Sequence, residues 1–305
     1  MKKKPGALIL FNEKSGIGKA STVILAVIRK AAAKGYEPIV YPIVPGTDLT
    51  SEKLVELYDG KVELVLVSGG DGTMNHLVDA VMRMKHKPRI AYLPTGSTND
   101  FARGLGIPLT KPKGIETAFG GRVFNYDVGS MNGRFFNYVA AFGAFSNVSY
   151  ETKTSWKNVL GYAAYVLTAA GNFVPAMKYS QHLRVITESS ETDGNFVFGA
   201  LCNAVTVGGL NIFGKSDVKL NDGKMELLMI YETKNLVELQ AIAAALLSGK
   251  ADHPNISIWQ VDKVRIESDN PVSWSLDGEF GGETNVAEFE VHKNAISIMT
   301  GRKKR

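Results

Sequence analysis

A single cysteine, Cys202, occurs in 305 residues. An intrachain disulfide is therefore excluded, and this usage suits a reducing compartment. Cys202 follows Phe198, Ala200 and Leu201, the setting of a buried thiol rather than a nucleophile. The five histidines, His76, His86, His182, His253 and His292, are scattered without metal-ligand spacing, which argues against a zinc site. No apolar run reaches the roughly 20 residues of a spanning helix. Lys2-Lys3-Lys4 precede an apolar stretch that stops at Asn12-Glu13-Lys14, so the N-terminus reads as a first strand and not a secretory signal. Without such a signal the sequons at Asn147 and Asn255 carry no weight. A Walker loop is missing, and so is a basic stripe with interleaved aromatics; nucleic-acid binding is not expected.

The remaining balance is that of a soluble globular protein, with 45% hydrophobic and 21% charged residues. The net charge of +5 is concentrated at the ends, in Lys2-Lys3-Lys4 and Arg302-Lys303-Lys304-Arg305. Such ends read first as solvated tails. The sharper reading is attraction to anionic phospholipid, at about 1 kcal/mol per basic residue near the surface.

What is present is a set of polar, glycine-bearing turns behind apolar strands. Val62 to Val67 is a buried-strand pattern with only Glu63 polar. It runs into Ser68-Gly69-Gly70-Asp71-Gly72-Thr73, and Met74, Leu77, Val78, Val81 and Met84 then follow at helical spacing. Glycine admits positive φ and the close approach of a ligand, and a helix N-terminus favours phosphate. A bare tight turn is the bland alternative. A second strand, Ile90 to Leu93, runs into Pro94-Thr95-Gly96-Ser97-Thr98-Asn99-Asp100-Phe101-Ala102-Arg103. Helix capping by Asn99 or Asp100 explains one polar residue there, but not the whole run. A third strand, Ala7 to Phe11, leads into Asn12-Glu13-Lys14-Ser15-Gly16-Ile17-Gly18-Lys19. Three such turns within the first hundred residues fit one nucleotide site at the carboxyl ends of parallel strands.

The first part alternates strands at 7–11, 37–43, 62–67 and 90–93 with helices at 20–34, 51–58, 74–84 and 99–105. This predicts an α/β domain, a parallel sheet with helices on both faces. After Gly121, β-rich runs dominate: 123–128, 134–142, 182–187, 196–207, 225–231, 263–268, 272–276 and 288–291. Asn132-Gly133, Asp193-Gly194 and Asp222-Gly223 read as hairpin turns. Two helical stretches, 156–173 and 236–248, interrupt them. The second part reads as a β-sandwich with inserted helices. Helix 156–173 is expected in the core, with an apolar stripe facing lipid as the minority reading. The boundaries expected are 1–124 for the nucleotide-binding domain, joined by 293–305, and 125–292 for a β-rich lipid and substrate domain. The strand near Ala295–Met299 would pack back on the first domain.

Near the end, Trp274-Ser275-Leu276-Asp277-Gly278-Glu279 delivers two carboxylates around a glycine. On a continuing strand both would face the same way; a turn at Gly278 is the alternative. With Asp71 they offer what phosphoryl transfer needs: one carboxylate to hold Mg²⁺ and another to accept a proton.

The motifs Gly69–Thr73, Pro94–Arg103, Asp222-Gly223 and Asp277-Gly278-Glu279, in this order, resemble the diacylglycerol kinase catalytic-domain family, soluble bacterial lipid kinases that also resemble sphingosine kinases. The resemblance implies ATP- and Mg-dependent phosphorylation of a lipid hydroxyl, most readily diacylglycerol to phosphatidate. It implies nucleotide binding by Asn12, Ser15, Gly16, Gly69, Gly70, Asp71, Gly72, Thr73 and Thr95, with Gly96, Thr98, Asn99 and Asp100 in the same cluster. Glu279 matches the family's general base, with Asp277 assisting it or orienting Mg²⁺. Asp222 matches a structural Mg²⁺ site completed by backbone oxygens near Lys219 and Lys224, against the plain reading of an Asn-Asp-Gly turn. Two departures stand out: Glu13 replaces the family's proline, and Ile17 stands where some relatives carry a lysine tied to acidic residues such as Asp127. A cytoplasmic protein with transient membrane-surface contact is implied, and an edge strand leaves room for a homodimer. The alternatives are an NAD kinase or phosphofructokinase relative, and a regulator that binds nucleotide or lipid without catalysis.

Overall fold

The computed structural model describes residues 4–12, 20–44, 46–96, 99–143, 179–204, 218–248 and 251–301. The chain divides into two compact units, Met1–Tyr126 with Asn294–Arg305, and Asp127–Lys293.

The first unit runs β1 (Gly6–Asn12), α1 (Ala20–Ala33), β2 (Glu37–Ile43), α2 (Ser51–Leu57), β3 (Val62–Gly69), α3 (Asp71–Arg83), β4 (Arg89–Pro94), α4 (Asp100–Gly104) and α5 (Lys111–Gly120). Strand pairing follows the order β4-β3-β1-β2 and is parallel throughout: Leu8 lies beside Ile39 and Val65, and Val65 beside Ile90. β1, β3 and β4 lack alternation because both of their faces are buried, whereas the edge strand β2 is buried only at Ile43. Ala7, Ile9 and Phe11 pack with Leu64, Leu66, Ala91 and Leu93 against Val27 and Ala31 of α1 and Ile115 and Phe119 of α5. The opposite set, Leu8, Leu10, Val65, Val67, Ile90 and Tyr92, is equally buried, and α3 lies against β3 with α2 beside it. The last strand, β13 (Glu279–Thr300), reaches this unit with its final residues, where Ile298 pairs in parallel with Ile90.

Two features of this unit escaped the sequence reading. Helix α5 was not expected, because it shows only Ile115, Ala118 and Phe119 as a short apolar face after Pro112. Helix α3 begins at Asp71 rather than Met74, so the glycine-carboxylate motif is itself the helix start, with Gly70 as its N-cap.

The second unit is antiparallel. Its strands are β5 (Arg122–Met131, from Asp127 on), β6 (Arg134–Phe136), β7 (Val139–Gly143), β8 (Gln181–Thr187), β9 (Glu191–Cys202), β10 (Met225–Tyr231), β11 (Ile256–Val261), β12 (Lys263–Leu276) and most of β13. Pairing runs β11-β10-β9-β7-β12-β13, and β8 bridges β12 and β9. Alternation sorts the side chains. Ala140 and Phe142 join Leu183, Phe196, Leu227, Met229, Ile266, Trp274 and Phe289 in one core. Val139 and Ala141 face the other way, with Phe198, Ala200, Cys202, Leu228 and the helix α6 (Leu236–Leu247) residues Ile242 and Leu246. Cys202 is thus a core thiol, and burial pushes its pKa far up.

Several expected boundaries shift. The runs 263–268 and 272–276 are one strand, β12, and the run 134–142 is divided between β6 and β7. Strand β11 was missed because it is half exposed and mixes Ser257 and Gln260 with its apolar residues. Asp193-Gly194 is not a turn: both residues lie inside β9, paired with Arg184 and Leu183. The reversal falls at Glu188–Ser190 instead, where the Thr187 N–H donates to the Ser190 carbonyl at 2.9 Å and the Thr187 hydroxyl donates to the same carbonyl at 3.0 Å. Asn132-Gly133 is a turn, with φ values of 48° and 81°. The helix expected at 156–173 lies outside the described residues. Among those described, no helix is long and apolar enough to cross a membrane.

The β7–β9–β10 core makes a direct prediction. A Cβ on Gly199 would fall into the Phe142 ring and within 2.6 Å of the Met229 sulfur. Gly199→Ala should therefore destabilise the protein by about 1–3 kcal/mol through overpacking, read from chemical denaturation. An unchanged midpoint would mean that this packing is looser than described.

Candidate active-site elements

At the carboxyl ends of β1, β3 and β4 the polar turns of the first unit come together. The Asn12 amide donates to the Thr73 hydroxyl at 2.9 Å, tying the end of β1 to the first turn of α3. The Gly69 carbonyl accepts from the Thr95 N–H at 2.8 Å and from the buried Tyr92 hydroxyl at 3.2 Å. Asn99, in left-handed conformation at φ 53°, closes the second turn: its Oδ1 accepts from the Gly96 N–H at 3.0 Å and its Nδ2 donates to the Gly96 carbonyl at 2.8 Å. Asn99 therefore shapes the loop before α4 and makes no side-chain cap bond to that helix.

The two turns also touch. A Cβ on Gly96 would lie 2.8 Å from the Gly70 Cα and 3.0 Å from the Asn99 Oδ1. Around Gly72 the space is open. Gly70 is the N-cap of the 13-residue helix α3 and has no side chain of its own to cap it, which lets a phosphate approach the helix start. Asp71 and Asp100 stand beside this end. The Asp100 N–H reaches the Asp71 carboxylate at 3.4 Å, and Asp100 is itself buried. Burial raises the Asp100 pKa first, the Asp71 charge raises it further, and Arg103 opposes both. Of the residues singled out in the sequence, the structure thus gathers Asn12, Gly69, Gly70, Asp71, Gly72, Thr73, Thr95, Gly96, Asn99 and Asp100. Ser15, Gly16 and Thr98, with Glu13, Ile17 and Lys19, lie outside the described residues.

In the second unit, Asp277-Gly278 is a two-residue hairpin turn between β12 and β13, with Leu276 opposite Glu279 and φ values of 51° and 86°. Positive φ at both central residues is the primed turn that Asp-Gly favours. The continuing-strand alternative is excluded, and the two carboxylates do not share a face. Asp277 turns inward: its carboxylate accepts from the backbone N–H groups of Asn137 at 2.5 Å, Tyr138 at 2.9 Å and Val139 at 3.0 Å. Burial pushes its pKa up to about 6, against the lowering effect of those three donors. Glu279 is exposed. No sequence signal pointed to residues 137–139, because they act through backbone atoms. Arg134 was missed because its guanidinium meets only backbone there, donating to the carbonyls of Gly281 at 2.7 Å and Phe280 at 3.3 Å.

Asp222 and Gly223 form the expected turn, with Gly223 at φ 87° and the Asp222 carboxylate accepting from the Lys224 N–H at 3.0 Å. The Gly223 N–H donates to Asp127 at 2.6 Å, and Asp127, fully buried, donates its own N–H to the Leu220 carbonyl at 3.0 Å. Lys219 and Lys224 are exposed and flank this loop. Glu226, two residues on, was not singled out. It is buried beside Gln260, and burial pushes its pKa up to about 7. Among the described residues no group of three His, Cys, Asp or Glu side chains forms a ready metal cage. One carboxylate with backbone carbonyls remains an acceptable donor set for a hard cation.

A parallel α/β unit with paired glycine turns at its strand ends, followed by a β-sandwich, defines a two-domain protein of the phosphoryl-transfer class. The diacylglycerol kinase catalytic domain matches residues 6–131, and the YegS C-terminal NAD kinase beta sandwich-like domain matches residues 139–300. This chain belongs to the diacylglycerol kinase catalytic-domain family. It is 29% identical over 297 residues to a diacylglycerol kinase of Staphylococcus epidermidis strain RP62A, covering 96% of this chain and 92% of that one. It is 29% identical over 283 residues to the diacylglycerol kinase of Bacillus subtilis strain 168, covering 90% of each. A diacylglycerol kinase structure from Bacillus anthracis str. Sterne shares the fold, with a TM-score of 0.76 at 19% identity over 98% of both chains. A second structure from that organism gives 0.83 at 21% identity.

Gly96→Ala is the sharpest test of the paired turns. The new Cβ meets backbone at Gly70, which has no rotamer with which to yield. Nucleotide affinity should fall by about tenfold or more, some 1.4 kcal/mol, measured by calorimetry. Undiminished binding would separate the turn contact from the nucleotide site.

Proposed function

We propose that this protein is an ATP- and Mg-dependent lipid kinase that phosphorylates the hydroxyl of a diacylglycerol, giving phosphatidate. The observation that carries this reading is the contact of the Gly70 and Gly96 turns beside the glycine-capped start of α3, with Asp71 and Asp100 adjacent. Backbone N–H groups and the helix end there suit a triphosphate, while Thr73, Thr95 and Asn12 suit its polar edges. Ser15, Gly16 and Thr98 complete the set by family resemblance.

The donor chemistry fits a divalent cation. Asp100 lies against Asp71, its N–H reaching the Asp71 carboxylate at 3.4 Å, so the two carboxylates would hold Mg²⁺ beside the phosphates. When bound, the ion neutralises phosphate charge as it develops in the transition state. Asp222, with backbone oxygens near Lys219 and Lys224, is the proposed structural cation site. Glu279, exposed at the start of β13, takes the proton from the attacking lipid hydroxyl.

Residues 1–124 with 293–305 act as the nucleotide-binding domain and 125–292 as the lipid domain. The lipid substrate requires transient contact with a membrane surface, so the protein works as a cytoplasmic, peripheral enzyme. Strand β11 ends the β11-β10-β9 order, and its outer edge is the proposed homodimer contact. The NAD kinase reading finds support only in the description of the second domain; the catalytic-domain match favours lipid.

Asp71→Ala should abolish turnover, and Glu279→Ala should cost about 10²–10⁴-fold in kcat with the circular dichroism unchanged. The measurement is labelled-phosphate transfer from ATP to diacylglycerol vesicles, run beside NAD and fructose 6-phosphate. Full activity of either variant refutes that residue's role, and transfer to NAD alone replaces the lipid assignment.

A further inference from the structure

Both carboxylate oxygens of Asp277 are engaged inside the second unit. One accepts from the Asn137 N–H and the other from Tyr138 and Val139. The anchor is reciprocal, because the Asp277 N–H donates to the Val139 carbonyl at 2.8 Å. It also prolongs a ladder: Ser275 pairs with Ala141 and Leu276 with Ala140, and the Asp277 side chain continues where the β12–β7 pairing stops. A carboxylate with both oxygens committed to backbone donors is poorly disposed to take a proton from a substrate or to grip an outside cation. On the far side of the turn, the guanidinium of Arg134 spans two consecutive carbonyls, Phe280 and Gly281. Glu279 sits between these two fixed points, at the first residue of β13, with its side chain exposed.

The geometry points to Asp277 and Arg134 as positioning residues that clamp the hairpin tip from both sides and thereby aim Glu279. This rests on the kinase reading, in which Glu279 is the base. Asp277 replaces its expected chemical role with a structural one, and Arg134 enters as a residue that no motif marks. Each side of the clamp has its own chemistry. The Asp277 side needs two anionic acceptor atoms in a left-handed residue. Asparagine tolerates that conformation but offers the Asn137 N–H a donor in place of an acceptor. The Arg134 side needs a planar fork, which lysine lacks although it keeps the charge.

Asp277→Asn, Asp277→Gly, Arg134→Met and Arg134→Lys test the clamp. The readouts are kcat and the ATP KM in labelled-phosphate transfer to diacylglycerol vesicles, with amide hydrogen exchange at residues 137–139 and 279–281. Misaiming a catalytic group by about 1 Å costs about a hundredfold in rate. The Asp277 variants should lose kcat on that scale while the ATP KM holds, and the amides at 137–139 should exchange faster. Arg134→Met and Arg134→Lys should both lose kcat by a smaller factor, with faster exchange confined to 279–281. Activity lost in Asp277→Asn with protection at 137–139 intact would overturn the proposal, since the carboxylate would then act chemically. Full kcat in Arg134→Met would overturn it equally. Should the Asp277 variants fail to fold, the exposed Arg134 pair decides the question alone. If the wild-type protein transfers no phosphate to any lipid, the kinase reading falls. The exchange arm still judges whether Asp277 and Arg134 hold the tip.

Discussion

Two glycines in contact determine the chemistry of the first unit. Gly96 approaches Gly70 so closely that a single methyl group would collide with backbone. Everything polar at the ends of β3 and β4 depends on this approach. The Thr95 N–H reaches the Gly69 carbonyl, Asn99 folds back on Gly96, and Asp100 comes within reach of Asp71. The parallel sheet makes the approach available, because β3 and β4 are neighbours in register and end at the same level, Gly69 beside Pro94. The burial of both sheet faces holds that register. A slip by one residue would exchange the side chains that meet α1 and α5 for those that meet α3.

The second unit applies a different constraint. A buried carboxylate is costly unless it is supplied with donors. Asp277 meets that condition with three backbone N–H groups and keeps a pKa of about 6, well above that of an exposed aspartate. Asp127 is buried likewise and accepts from Gly223, whereas Glu226, with Gln260 beside it, is pushed to about 7. Asp277 and Asp127 thus accept from backbone N–H groups at turns, whereas Glu226 lies within β10 and is met by a side chain of β11. Glu279, by contrast, is exposed at the first residue of β13, directly after the turn that Asp277 anchors.

The degree to which the sequence was legible followed the source of each signal. Strands 37–43 and 62–67 were readable because an apolar run between glycines and polar turns has few alternatives, the second extending to Gly69 in the structure, and α3 because five apolar residues recur at helical spacing. Helix α5 and strand β11 were not, because each buries a narrow face and leaves the rest polar. Asp193-Gly194 carried a strong turn signal that cross-strand pairing with Arg184 and Leu183 overrode. Asp277-Gly278 carried the same dipeptide signal and obeyed it. Local chemistry was identical in the two cases, and the neighbours decided.

The sequence by itself determined the two-part organisation and the family and offered candidate site residues, because periodicity, glycine placement and motif order are properties of the chain read in one dimension. Only the tertiary structure decided which of those residues face one another and which face inward. Asp277 and Glu279 are two positions apart and chemically alike, yet one is fixed beneath the turn and the other projects from it. That difference comes from the backbone donors at 137–139 and from Arg134, which lie about 140 residues away along the chain. Hydrogen bonds to main-chain atoms require no particular side chain, so no pattern of letters records them.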